Sequence, residues 1–287
     1  STAISELNLP DSVEYIGGGA FLYCSNLADI NLNKNIKSIG ERVFNNTLWY
    51  KNQADGLIYK DDILFEHKGD CNIYESLEVK DGTRIVAGKA LQNVYCTRVV
   101  LPNSLEYICR GAFYKCSSLE TINIPDNVEM IDTVAFKECR FLNSKIKITK
   151  AHVMASAFYE CENLTEVEFG EEVKFLGINA FYGCRQMKAI MCYAWNPPIC
   201  GENTFGEINK ETCKLYVPDG TLELYRNADV WKDFVNILEI SSLGVEDLVE
   251  DDTPIEYYDL NGIKVNNPSN GVFIMKQGTK ANKAIVK

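Results

Sequence analysis

The sequence predicts an α+β solenoid, an array of coils of about 22–24 residues with short parallel strands, plus a small C-terminal β module. Three observations carry this. The stretch Ala112-Phe113-Tyr114-Lys115-Cys116-Ser117-Ser118-Leu119-Glu120-Thr121-Ile122-Asn123-Ile124-Pro125 recurs along most of the chain. Counting from Phe113, Cys falls three residues on, Leu six, Ile nine and Ile eleven, and the next Phe comes at 136 − 113 = 23. A period in the low twenties with Leu and Ile at fixed offsets marks a repeat that buries its apolar face only against neighbouring copies. Finally, 46% hydrophobic against 24% charged residues supplies a core and excludes a disordered chain.

Residues 1–21 form a partial copy, in which Leu7-Asn8-Leu9-Pro10 matches the Ile-x-Ile-Pro stretch and Ile16-Gly17-Gly18-Gly19-Ala20-Phe21 leads on. The first full coil runs from Phe21 through Cys24, Leu27, Ile30, Leu32 and Ile39 to Phe44, again 44 − 21 = 23. An insertion then occupies about residues 45–76. Inside it, Gly56-Leu57-Ile58-Tyr59 and Ile63-Leu64-Phe65 flank Lys60-Asp61-Asp62, which reads as a β-hairpin projecting from the array. The repeat resumes at Leu77-Glu78-Val79, and further coils start at Phe113, Phe136, Phe158 and Phe181. In the Phe136 coil, Ile146 and Ile148 are displaced by one, which predicts a bulge.

Within each coil, Leu/Ile-x-Leu/Ile reads as a strand, because apolar residues two apart point to one face. The Pro after it ends the strand. Val-x-x-Ile with the following Gly supplies a second short segment, and Ala-Phe-x-x-Cys-x-x-Leu suits a turn of helix on the opposite side. Residues 205–240 read as a cap: Leu215-Tyr216-Val217-Pro218 is a last strand, and Thr221 is placed to cap a helix carrying Leu222, Leu224 and Tyr225. Trp231, Phe234 and Ile237 close the core. The repeat domain thus spans 1–240, an acidic linker 241–254, and a β module 255–287, too short to hold a core alone.

The formal net charge of −11 argues against nucleic acid and against anionic membrane surfaces, both of which need basic patches. No run approaches a transmembrane helix. The chain opens Ser1-Thr2-Ala3 without Met, which reads as a mature chain whose signal peptide has been removed. Eleven cysteines form an odd count in a long chain, unlike a disulfide scaffold. Cys24, Cys116, Cys139, Cys161 and Cys184 each follow a repeat Phe by three, and stacked coils would keep their Cβ atoms too far apart to bond. They read as buried thiols. A bridge among Cys192, Cys200 and Cys213 is left open.

Laid out in full, Ala-Phe-x-x-Cys-x-x-Leu-x-x-Ile-x-Ile-Pro-x-x-Val-x-x-Ile-Gly resembles the BspA-like leucine-rich repeat, abundant in surface and secreted proteins of Bacteroidetes and some protists. The insertion from Asn46 to Tyr59 and the terminal Pro197-Pro198, Leu215-Tyr216-Val217-Pro218 and Trp231-Lys232-Asp233-Phe234 are similar to features of that family. The resemblance covers about residues 1–240. Thr47 and Val94 at the Cys position and Leu91 at the Phe position depart from it. The tail Tyr257-Tyr258-Asp259-Leu260-Asn261-Gly262 with Gly271-Val272-Phe273-Ile274 looks like C-terminal modules of secreted Bacteroidetes proteins, some of which are sorting signals. What the resemblance implies is an exported or cell-surface, non-enzymatic protein that adheres to host matrix proteins or other cells.

The residues offer little for catalysis. His67 and His152 stand 152 − 67 = 85 positions apart, with no His-Glu-x-x-His and no Cys-x-x-Cys. Gly17-Gly18-Gly19 lacks the Lys-Ser/Thr of a phosphate loop, and Asp61-Asp62 lacks calcium-loop spacing. No cofactor or metal is expected. What remains is surface. The residue between the two buried apolars of each strand faces out, giving Asn8, Asn31, Glu78, Val100, Asn123, Lys147, Glu168 and Met191. The Val-x-x-Ile segments expose Tyr15, Tyr107, Met130 and Phe175 as an apolar stripe of the kind that marks binding surfaces. About nine coils at about 4.8 Å give a face roughly 40 Å long, enough for a protein interface. The partner is thus expected to be a protein, of host matrix or bacterial surface, bound through the strand face. A glycan held on the row Tyr114, Tyr159 and Tyr182, or a self-assembling structural spacer, are the alternatives.

Overall fold

A full copy of the repeat lays down two short strands and a tight turn, and within each unbroken run of copies the three stack on their counterparts in the next. The computed structural model describes residues 4–69, 74–242, 256–259, 264–265, 271–277 and 280–286. The Leu/Ile-x-Leu/Ile segments make a first ladder from β1 (Glu6–Asn8), β3 (Asp29–Asn31), β7 (Tyr74–Glu78), β9 (Cys96–Val100), β11 (Thr121–Ile122), β13 (Ile146–Ile148), β15 (Glu166–Phe169), β17 (Ala189–Cys192), β19 (Lys214–Val217) and β20 (Asn236–Glu239). The Val-x-x-Ile segments make a second from β2 (Tyr15–Ile16), β4 (Ser38–Ile39), β8 (Ile85–Val86), β10 (Tyr107–Ile108), β12 (Met130–Ile131), β14 (His152–Val153), β16 (Phe175–Leu176) and β18 (Ile199–Cys200). Coil-to-coil pairing is parallel and keeps equivalent residues together, as in Val167 beside Ile190 and Ile190 beside Leu215.

The third side corrects the expectation of a helical turn. Two residues before and two after each repeat Phe the backbone is left-handed: Gly111 and Lys115 around Phe113, Val134 and Glu138 around Phe136, Ser156 and Glu160 around Phe158. Positive φ interrupts a helix at once. It also splits the amides into two sets. Ala112, Tyr114 and Cys116 bond back within the turn, to Cys109 O, Gly111 O and Phe113 O. Gly111, Phe113 and Lys115 instead donate to Thr133 O, Ala135 O and Lys137 O of the next coil, at 3.0, 2.8 and 2.9 Å. The turn is therefore a ladder in its own right, and it holds even β-branched Val134 at φ 54°.

Inside, the Phe side chains form a column. Phe113, Phe136, Phe158 and Phe181 stack nearly parallel with centroids 4.9, 4.9 and 5.0 Å apart, the interstrand spacing imposed by the ladders. The thiols run beside it and donate backwards along the stack: Cys139 Sγ to Phe113 O at 3.1 Å, Cys161 Sγ to Phe136 O at 3.2 Å, Cys184 Sγ to Phe158 O at 3.4 Å. All ten cysteines among the described residues are free, Cys192, Cys200 and Cys213 included. Burial pushes Cys192 up to about 11 and Cys200 and Cys213 up to about 12.

The hairpin of the insertion, β5 (Gly56–Lys60) and β6 (Ile63–Lys68), does not project. β6 pairs in parallel with β8, Ile63 against Ile85 and Leu64 against Val86, and Phe65 packs 5.4 Å from Phe44. Its three consecutive apolar residues find more burial inside the second ladder than outside it. The first ladder is broken into β1–β3, β7–β9–β11 and β13–β15–β17–β19–β20, and the second into β2–β4 and an eight-stranded sheet from β5 to β18. The break after β11 falls at the displaced Ile146 and Ile148. There the Asn123 side chain both accepts from Leu101 N and donates to Leu101 O, at 2.8 Å each.

At the end of the array, α1 having been the short helix Leu48–Lys51 of the insertion, α2 spans Leu222–Asn227. Thr221 precedes it, but its hydroxyl donates to Pro218 O at 2.7 Å rather than capping a helical amide. Tyr225, Trp231, Phe234 and Ile237 are buried and Leu224 is exposed. The chain divides into units Ser1–Leu238 and Glu239–Lys287. The second is an antiparallel sheet of β21 (Glu256–Tyr258), β22 (Lys264–Val265), β23 (Gly271–Gln277) and β24 (Lys280–Val286) in the order β22–β21–β23–β24. Most of the acidic linker and the Asn-Gly and Asn-Pro turns lie outside the described residues.

Candidate binding surface

The outward row of the first ladder is occupied with itself. Asn31 Nδ2 donates to Asn8 Oδ1 at 2.8 Å, and Asn123 is taken up by the Leu101 backbone. Lys147 stands beside Glu168 and Glu168 beside Met191, with Lys147 bonded to Asp126 at 3.2 Å and Lys145 to Glu168 at 2.8 Å. Asn31, Asn123 and Lys147 are exposed, while Glu168 and Met191 are half-buried. The two breaks in this ladder divide the row, so it is not the single face expected.

The second ladder gathers a different row. Register sets Ile85, Tyr107, Met130 and His152 side by side, and Phe175 beside Ile199. Val153 pairs with Leu176, which brings His152 next to Phe175 and joins the two halves. The row is buried at one end and open at the other. Ile85 is 0% and Tyr107 7% exposed, Met130 and Phe175 are half-buried, His152 is exposed and Ile199 is 72% exposed. Ile178, also exposed, lies against Gly201, the residue after β18.

Two expectations need correction. Tyr107 is not an exposed anchor. Its hydroxyl donates to Glu129 Oε2 at 2.8 Å, and burial together with that carboxylate raises its pKa. Tyr15 is 66% exposed but belongs to the separate β2–β4 sheet, where its neighbour is Ser38. Met130 and Phe175 do share a row. The residues that sequence reasoning passed over, His152 and Ile199, each sit one place before an inward residue, Val153 and Cys200. That offset was the available signal, hidden by the irregular coil around His152 and by Pro197-Pro198 before Ile199.

Where the tyrosine row is continuous its rings are closely packed. Lys137 Nζ lies 4.5 Å over Tyr159, Tyr159 stacks on Tyr182 at 5.1 Å, and Gly206 lies so close to Tyr182 that a Cβ there would come within 2.5 Å of its Cδ2. Tyr182 Oη donates to Glu207 at 2.6 Å and Tyr114 Oη to Glu138 at 3.4 Å. These rings and hydroxyls are engaged with neighbouring coils.

Among the described residues no group of three or more His, Cys, Asp or Glu could hold a metal ion, and no helix is long and apolar enough to cross a membrane. Burial keeps the column thiols Cys139, Cys161 and Cys184 protonated by raising their pKa values, which denies them nucleophilic character.

Comparison with known proteins follows the same repeat. Among solved structures the chain is similar to the pneumococcal vaccine antigen PcpA, at 18% identity over 82% of this chain and 67% of that one, with a TM-score of 0.49. It is also similar to a leucine rich cell surface protein of Faecalibacterium prausnitzii A2-165, at 19% identity over 66% of this chain and 60% of that one, TM-score 0.46. A third is the leucine rich repeat protein TpLRR of T. pallidum, at 22% identity over 63% of this chain and 91% of that one, TM-score 0.43. Such values give these likenesses no weight for function. No curated protein matches the sequence. The family model of the BspA type leucine rich repeat region, however, matches in six copies over residues 1–54 and 83–211, stopping where the hairpin enters and resuming just before β8. With more than half of the chain matched and the repeat geometry visible coil by coil, the protein belongs to the BspA-type leucine-rich repeat family.

Proposed function

We propose that this is a non-enzymatic protein displayed at the cell surface or secreted, and that it binds another protein through the outward row of the second ladder. The observation that supports the reading is the in-register run Met130, His152, Phe175 and Ile199: aromatic, aliphatic and thioether groups on neighbouring strands, half-buried at Met130 and Phe175 and exposed at His152 and Ile199, with Ile178 beside them. Methionine and aromatic residues are enriched in interface cores, and a contiguous apolar strip on a stable scaffold is costly to leave in water unless it is used. The first-ladder row and the tyrosine row, by contrast, spend their polar groups and ring faces on neighbouring coils. Surface display is the expectation that membership of the family carries.

The test is a binding panel of purified extracellular-matrix and bacterial surface proteins, read by interferometry against the unaltered chain and the pair Phe175→Asp with Ile199→Asp. A partner held by the first and lost by the second at an unchanged thermal midpoint supports the reading. A partner bound equally by both would move the site elsewhere. No binding from the whole panel would favour the structural spacer, to be followed by measurements of self-assembly.

A further inference from the structure

Half of that row is buried, and we take as its cover the protein's own first two coils, which bond to β8 beside it. The row residues on β6, β8 and β10, Ile63, Ile85 and Tyr107, are buried, while those on β14 and β18 are exposed. The groups lying on the buried half come from one segment, Ile36 to Glu41. Arg84 Nη1 donates to Ile36 O at 2.7 Å and Gly88 N to Ile39 O at 2.8 Å. The Cys109 thiol lies against Ser38 and the Ile39 backbone, and Lys89 pairs with Glu41.

The cover is well knit within itself and loosely joined to the rest. Coils 1 and 2 bond along all three stacks, for example Leu9 N to Asn31 O, Gly40 N to Ile16 O and Phe21 N to Val43 O. Across the insertion both ladders stop, since β1–β3 and β2–β4 are sheets of their own. Apart from bonds at the chain's own passage into the insertion, such as Tyr23 N to Asn45 O and Thr47 N to Phe44 O, the described backbone bonds that cross are Trp49 N to Leu27 O and Gly88 N to Ile39 O. The strongest polar link is Arg84, which also meets Asp62 at 2.8 Å and Glu106 at 3.5 Å. Its Nη2 is buried without a hydrogen-bond partner, a donor that water would satisfy on opening. Phe44 packs against Phe65 and Trp49 across the same junction, so the closed form predominates.

We propose that residues 4–44 open as a unit about the insertion, with Arg84 as the latch, and that opening lengthens the docking row from Met130–Ile199 back to Ile63. The functional consequence rests on the row being the docking surface; the opening itself does not. Its signature is local unfolding of one block at a lower free energy than the rest of the array.

Hydrogen exchange read by mass spectrometry on the full chain tests it, without any partner. Two variants loosen the latch in different ways. Arg84→Ala removes the guanidinium, and Gly88→Ala places a Cβ within 2.9 Å of Glu41 N and Gly40 C. Both should speed exchange about tenfold in peptides spanning 36–41 and 85–88, as expected for a charge-assisted bond lost, and leave 146–200 unchanged. Equal acceleration throughout the array, or none in either variant, would overturn the proposal. Should the opening be seen while Phe175→Asp with Ile199→Asp leaves partner binding intact, the opening stands and the docking reading falls.

Discussion

Trp231 Nε1 donates to Pro198 O at 2.8 Å, and with that bond the second ladder ends. In the inner coils the equivalent carbonyl, that of Glu14, Asp62, Arg84, Glu106, Glu129 or Lys174, accepts an amide from the coil that follows. No coil follows Pro198, and the indole N–H takes the amide's place. Trp231 is fully buried, 5.2 Å from Phe205 and 6.5 Å from Phe169 between ring centroids. Trp231→Phe keeps most of that burial but orphans a buried carbonyl, a cost of about 1–3 kcal/mol. Trp231→Ala adds a cavity, for about 3–5 kcal/mol in all. Urea midpoints of the two variants check the order.

Gly17 and Gly40 occupy the same place in the repeat, four residues before Phe21 and Phe44. A Cβ on Gly40 would come within 2.3 Å of Gly18 N, and one on Gly177 within 2.5 Å of Ala155 N, whereas one on Gly17 meets nothing within 4 Å. Gly40→Ala and Gly177→Ala should each destabilise by about 1–3 kcal/mol through overpacking. Gly17→Ala should be neutral or stabilise by about 0.4–1 kcal/mol, because it only narrows the unfolded ensemble. Thermal midpoints moving in opposite directions would bear this out, and equal losses at Gly17 and Gly177 would sink it.

The buried thiols set an alkaline limit. Burial raises Cys109 and Cys192 from the ordinary 9.0 to about 11, and Cys200 and Cys213 to about 12. A group that holds its proton more tightly when folded stabilises the fold below its unfolded pKa, and that contribution is lost as pH rises toward the folded one. Stability should therefore be level from pH 7 to about 8.5 and then fall by about 1.4 kcal/mol per pH unit for each such thiol. Denaturation midpoints measured from pH 7 to 11 decide the matter; a flat profile would show that the thiols are not held from water.

Tyr107 separates packing from binding. Tyr107→Phe should cost about 1.5–3 kcal/mol through the lost bond to the Glu129 carboxylate, and Tyr107→Ala about 3–5 kcal/mol. Ile199→Ala, at a largely exposed position, should stay within about 0.5 kcal/mol of the unaltered chain. Chemical denaturation of the three variants is the check.

The period, the strand positions, the Phe column and the buried thiols were all legible, because each depends on the spacing of apolar residues along one chain. Three things were not. The turn beside each Phe read as helical because Ala-Phe-x-x-Cys-x-x-Leu has helical spacing, and only coil-to-coil hydrogen bonds make left-handed backbone tolerable at Lys115 or Val134. The hairpin read as an appendage because its pairing with β8 is a long-range choice that local alternation does not encode. The candidate row read as Tyr15, Tyr107, Met130 and Phe175 because exposure was inferred position by position. Tyr107 is in fact buried and bonded to Glu129, and the spacing of apolar residues does not report which outward positions are covered.

A turn whose geometry is enforced by stacking leaves its own residues open to drift: Lys, Glu, Asn, Ser, Val and Gly all occupy the left-handed positions. Substitutions at those sites should then be tolerated, and the structural unit is the whole coil. A duplication or deletion of one complete repeat would join two surfaces that already fit. A partial one would leave a ladder unmatched unless, as with Ile63-Leu64-Phe65, the new segment brought its own strand and its own ring for the column. By the same geometry the array can be lengthened or shortened only in steps of one coil without leaving a strand unpaired.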